Sequence, residues 1–127
     1  MPQLILHLLG DYVIQNDWMA QNKSKQWWPA IAHVITYTIP FLLLTQSWKA
    51  LAVIGLTHLL IDRFSLAKYL VWAKNQIMTT KAYRYPWKEA NFTGYQDTRP
   101  IWLTCWLTIV ADNTLHLAIN YGAISWL

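Results

Sequence analysis

Three of the four histidines in this chain stand four residues from an aspartate, and all four lie inside long apolar stretches. The pairs are His7 with Asp11, His58 with Asp62, and His116 with Asp112. On a helix that spacing stacks both side chains on one face, one turn apart. Five aspartates among 127 residues would fall at either such offset from a given histidine with a frequency of only about 0.08. Carboxylates are costly in apolar surroundings unless they are paired or functional. A chain with this pattern has to turn its polar faces toward one another.

The apolar stretches run over about 2–20, 29–48, 50–72 and 100–127. A bilayer core of ~30 Å needs about 20 helical residues, which the last three supply. The first is marginal because Asp11 and Asp17 interrupt it, and no basic residue precedes it as in a signal peptide. Pro29 and Pro100 suit the first turns of helices, and Pro40 predicts a kink. Charged residues are 13% of the chain, about half the usual share and too few to coat a soluble bundle of this size. Nine Trp and seven Tyr suit a membrane–water interface. The expectation is an all-α, four-helix transmembrane bundle with a polar His/Asp core, one integral membrane domain over 1–127. A tightly packed soluble four-helix bundle is the competing reading.

Residues 73–99 form the long polar connection. Lys74, Lys81, Arg84, Lys88 and Arg99 alternate there with Tyr83, Tyr85, Trp87, Phe92 and Tyr95, which suggests a loop lying on the interface. Together with Lys23 and Lys25 in the first loop, the positive-inside rule places both loops in the cytoplasm and both termini outside. The net charge of +4 is spread between apolar runs rather than gathered on one face, so no nucleic-acid partner is expected. The single Cys105 excludes a disulfide framework and a cysteine-based zinc motif, and its apolar neighbours mark it as a packing residue. Phosphate-loop, dinucleotide-binding and serine-elbow motifs do not occur.

Chain direction sharpens the polar pattern. The first and third stretches run the same way and both read H-L-L-x-D, at His7–Asp11 and His58–Asp62. The fourth runs the opposite way and carries the reverse order, Asp112 to His116. Reversal on an antiparallel helix levels its Asp with the other Asp residues and its His with the other His. His33 adds a donor from the second stretch, near the Asp layer. His7, Asp11, His33, His58, Asp62, Asp112 and His116 are therefore candidate metal ligands converging from facing helices. Seven donors exceed one tetrahedral zinc, so either two ions bind or a carboxylate, Asp62 or Asp112, acts as a catalytic base. Zinc is the first expectation, and manganese, iron and nickel suit the same donors. Gln15, Asp17, Tyr37, Asn113 and Asn120 extend the polar stripes as supporting or substrate contacts. Lys23, Arg63, Arg84 and Arg99 suit an anionic, phosphate-bearing substrate, although topology and lipid contact explain them too. A structural His–Asp hydrogen-bond network is the alternative to a metal. Gly10 and Gly55 are read as sites of close helix approach.

These motifs resemble the domain of unknown function 3307 family, small membrane proteins of bacteria and their phages. The resemblance rests on His7–Asp11 continuing through Gln15-Asn16-Asp17-Trp18-Met19-Ala20 to Lys23, on His33-Val34-Ile35-Thr36-Tyr37, and on His58–Arg63. It continues in Thr93-Gly94-Tyr95 with Arg99-Pro100 and in Asp112–His116 to Asn120. It implies a multi-pass protein of the bacterial inner membrane and brings no reaction with it. A looser likeness to membrane-bound metal-dependent hydrolases rests on intramembrane His and Asp alone, without the fuller hydrolase signature. Three functions are then expected in order. The first is metal-dependent hydrolysis of a phosphorylated or lipid-like substrate. The second is a non-catalytic protein with a structural metal that modulates a host membrane partner. The third is ion or proton transport by a homo-oligomer.

Overall fold

In a computed structural model, which describes residues 2–127, the chain is all-α, with no strand among the described residues. Six α-helices appear among the described residues: α1 (Pro2–Leu8), α2 (Asp17–Asn22), α3 (Trp27–Thr38), α4 (Trp48–Phe64), α5 (Leu66–Ile77) and α6 (Ile101–Trp126). The four-helix expectation is thus corrected to six, for local reasons.

The first apolar stretch breaks at Gln15, whose backbone is extended. Asn16 then caps α2, its side-chain oxygen accepting the Met19 N–H at 2.9 Å. Before that break, Leu9–Ile14 winds as a π-helix. In α3, Pro29 falls in the first turn, where its missing N–H costs nothing. At Pro40 the helix tightens into a 3₁₀ segment, Ile39–Leu43. The third stretch breaks at Ser65, which adopts a left-handed conformation with φ 49°. Helix then resumes as α5 and runs on to Ile77, past the expected end at Trp72.

No single helix among the described residues is long and apolar enough to cross a membrane. Only α4 and α5 together, broken at Ser65, meet that test. Asp62 and Arg63 lie in α4, and Asp112, Asn113, His116 and Asn120 dilute the 26 residues of α6.

The chain divides into two compact units, one made of residues up to Phe64 with Leu115–Leu127, the other of Ser65–Thr114. In the first unit, Leu6, Tyr37, Phe41, Ala50, Ile54 and Ala123 form a buried apolar cluster. Gly10 is required there, because a Cβ would lie 2.6 Å from the Tyr37 ring. A Cβ on Gly55 would lie 3.1 Å from the Thr38 hydroxyl, so both glycines serve close approach, as their sequence positions suggest. The Ser47 hydroxyl donates to the Leu127 carbonyl at 2.9 Å, tying the end of α6 to the start of α4.

In the second unit, α5 carries the aromatic segment that follows it. The Tyr85 carbonyl accepts from Trp72 Nε1 at 3.2 Å and from Gln76 Nε2 at 3.0 Å. The Tyr85 hydroxyl donates to the Gly94 carbonyl at 3.0 Å and accepts from Asn75 Nδ2 at 2.8 Å. Burial raises the Tyr85 phenol above its usual pKa, which keeps that donor proton in place. Tyr69 and Trp87 stack at 4.6 Å, with the Lys68 ammonium over both rings. Gly94 turns the chain with φ 85° against the Lys68 carbonyl.

Candidate metal centre

The first unit brings all four histidines together with Asp11 and Asp62, all of them buried. Three elements supply the inner set. Asp11 projects from the π-helix, His33 from α3, and His58 and Asp62 from successive turns of α4. Short π segments re-aim side chains and often occur at functional sites, and this one holds Asp11 in the cluster.

Four donor atoms converge. His33 Nε2 and His58 Nε2 lie 3.0 Å apart. Asp11 Oδ1 is 3.1 Å from His33 Nε2 and 3.2 Å from His58 Nε2. Asp62 Oδ2 is 3.1 Å from each of the same two nitrogens. An imidazole nitrogen carries one proton or one lone pair, so ordinary hydrogen bonding cannot satisfy this many contacts at once. A shared cation does. Donors about 2.0–2.1 Å from an ion lie roughly 3.3 Å apart in a tetrahedron and about 3.0 Å apart at neighbouring corners of an octahedron. The observed separations match such a donor set, and mixed imidazole and carboxylate ligation suits a first-row divalent metal.

An outer layer holds the far oxygens of both carboxylates. His7 Nδ1 lies 3.4 Å from Asp11 Oδ2, and His116 Nε2 lies 3.4 Å from Asp62 Oδ1. Tyr37 links several members. Its ring stacks on His58 at 3.6 Å, and its hydroxyl is 2.8 Å from His7 Nδ1 and accepts from Asn120 Nδ2 at 2.7 Å. Such outer partners fix the orientation of ligands. His7 and His116, read from the sequence as ligands alongside the others, thus lie against the far oxygens of Asp11 and Asp62, and His116 also belongs to a second group of donors that could hold an ion.

Lys23 enters the cluster directly. Its Nζ lies 2.7 Å from Asp62 Oδ2 and 3.4 Å from His33 Nε2. Sequence spacing carries no signal for this contact, because the reach depends on the turn after α2. Arg63 holds that turn: its Nη1 donates to the Ser24 carbonyl at 2.6 Å and its guanidinium lies 4.9 Å over the Trp27 ring.

The remaining candidates are placed as follows. Gln15 ends the π-helix, with a buried Oε1 that has no hydrogen bond among the described residues. Asp17 is exposed and accepts from Gln21 at 2.8 Å. Asp112 and Asn113 are half-buried on α6, in the second unit, and Asp112 precedes His116 by one turn. Arg84 and Arg99 are exposed and also belong to the second unit.

No curated protein and no solved structure matches the chain. A family model does match, over residues 1–85, a range that contains Asp11, Lys23, His33, Tyr37, His58 and Asp62. The blocks from Thr93 onward lie outside it. The chain therefore belongs to the family described as protein of unknown function DUF3307.

Proposed function

We propose that this chain is a membrane-embedded, metal-dependent hydrolase, with Asp11, His33, His58 and Asp62 as the ligands of a divalent ion. The observation that carries the metal reading is the 3.0–3.2 Å spacing of the four converging donors. A bound divalent ion would polarise a phosphoryl or acyl oxygen and ready a water for attack. The chain's own residues supply the rest. His7 and His116 orient the carboxylates, Tyr37 fixes the His58 ring, and the buried surroundings strengthen each electrostatic contact. Zinc suits the site best, and a phosphorylated or lipid-like substrate fits the basic side chains at Lys23 and Arg63.

Support for the bilayer comes from the surface. Trp28, Ile35, Leu43, Trp48, Leu56, Trp102, Trp106 and Val110 all stand exposed, a load of large apolar groups that a soluble monomer rarely carries. With the basic loops inside, both termini face outward in this reading.

The test is metal content of the full chain purified in detergent. Wild type should hold stoichiometric zinc or a related ion, and Asp62→Asn or His58→Ala should lose it by about a hundredfold in affinity or more. A second reading is a structural polar network with no metal. It is favoured by the Lys23 ion pair and by the Nδ1 atoms of His33 and His58, which are buried without hydrogen bonds among the described residues where a ligating imidazole usually donates. A folded wild type that takes up no divalent ion would establish that reading and end the hydrolase one.

A further inference from the structure

The Lys23 contact has a consequence for what the centre accepts, granted the metal reading above. The two inner carboxylates carry two negative charges, and Lys23 offsets one of them. In that state the pocket repels anions. A divalent ion in the same place would neutralise both carboxylates. It would also repel the ammonium, because both cations compete for Asp62 Oδ2.

Lys23 is the most exposed member of the cluster. Its side chain is 20% exposed, whereas those of Asp11, His33, His58 and Asp62 are 8% exposed or less. It sits at the end of the short helix α2, next to the exposed residues Ser24 and Lys25. Arg63 anchors the adjoining Ser24 carbonyl, and its own Nε is buried without a hydrogen bond among the described residues. Lys23 is therefore the partly exposed cation on Asp62, and Arg63 holds the turn that carries it.

We infer that Lys23 is the anion-receiving arm of the centre: metal loading releases its ammonium from Asp62, and the freed ammonium, on the turn that Arg63 holds, then binds a phosphoryl oxyanion. Binding is ordered. The metal enters first and the oxyanion follows, since only the loaded pocket carries excess positive charge. Lys23 is the residue that senses loading, and Arg63 positions its turn.

The experiment uses the full chain in detergent, with cobalt(II) as the metal probe and its visible absorption as the readout of loading. Inorganic phosphate is titrated calorimetrically with and without cobalt, and detergent micelles carrying phosphatidate form a parallel arm. Wild type should bind phosphate only after cobalt. Lys23→Met should bind cobalt roughly ten- to a hundredfold tighter and phosphate weaker by a similar factor. Lys23→Arg should keep most phosphate binding, and Lys25→Met should match wild type in both titrations. Response to phosphatidate but not to free phosphate assigns the oxyanion to a lipid headgroup; response to both assigns it to phosphate itself. Phosphate binding that ignores cobalt, or a Lys23→Met chain with unchanged titrations, would overturn the inference and leave the metal reading intact. Failure of wild type to take up cobalt removes the metal reading and this inference with it. Circular dichroism of each variant confirms that it is folded.

Discussion

In the first unit most of the buried polar side chains are ionisable, and His33, His58, Asp11 and Asp62 each touch several others. In the second they are mostly neutral, and each has one or two partners of ordinary geometry. His33 Nε2 has four polar atoms within 3.4 Å. The Tyr85 hydroxyl, by contrast, has one acceptor and one donor, and its carbonyl has two donors for two lone pairs. A saturated neutral network is explained by the need to fold an aromatic loop. A crowded ionisable one is not, because burying carboxylates and imidazoles against each other is expensive without a cation to share. The contrast marks the first cluster as the one whose donor set could hold a metal ion.

The largest effect on the structural side should come from Gly94→Ala. The residue sits at φ 85°, and a Cβ would lie 2.2 Å from the Lys68 carbonyl oxygen. Thermal unfolding followed by circular dichroism should show a loss of about 2–4 kcal/mol, with metal content unchanged. A variant that also lost its metal would break the contrast. On the functional side, His7→Ala frees the outer oxygen of Asp11 and should weaken metal binding by roughly ten- to a hundredfold. Competition with a chromophoric chelator measures this, and an unaltered affinity would mean the outer layer orients nothing. The smallest expected change is Tyr85→Phe, about 1–3 kcal/mol of stability from the Gly94 and Asn75 partners. Its metal stoichiometry should equal that of wild type.

Much of the site could be read from spacing. His58 and Asp62 share one regular helix, so the i,i+4 rule places them together without further information. His7 and Asp11 satisfy the same rule, yet Asp11 reaches the cluster from a π-helix, a winding that no residue preference announces. Gly10 hinted at close approach, but only the fold shows that the neighbour is Tyr37. Helix ends were less legible. The Asn16 cap is a sequence signal that the apolar run obscured, whereas the break at Ser65 puts a non-glycine residue in the left-handed region, where glycine would have been the cue. Lys23 was visible as a charge but not as a partner of Asp62, since a long flexible stem leaving a turn has no fixed register. The all-α class and the convergence of His and Asp side chains followed from periodic pattern. The layering of the histidines followed from rotamers and distances that pattern cannot carry.

The distribution of the large aromatic rings has an optical consequence. None of the nine tryptophans is buried, while the ring stacked on His58 belongs to a tyrosine. Indole fluorescence from this protein therefore reports mainly on its surface rather than on the cluster inside. A shift in emission colour on changing the solvent around the chain, with no shift on adding metal, is the signature of that arrangement, and the Tyr37 phenol is left as the native chromophore placed to register events at the cluster.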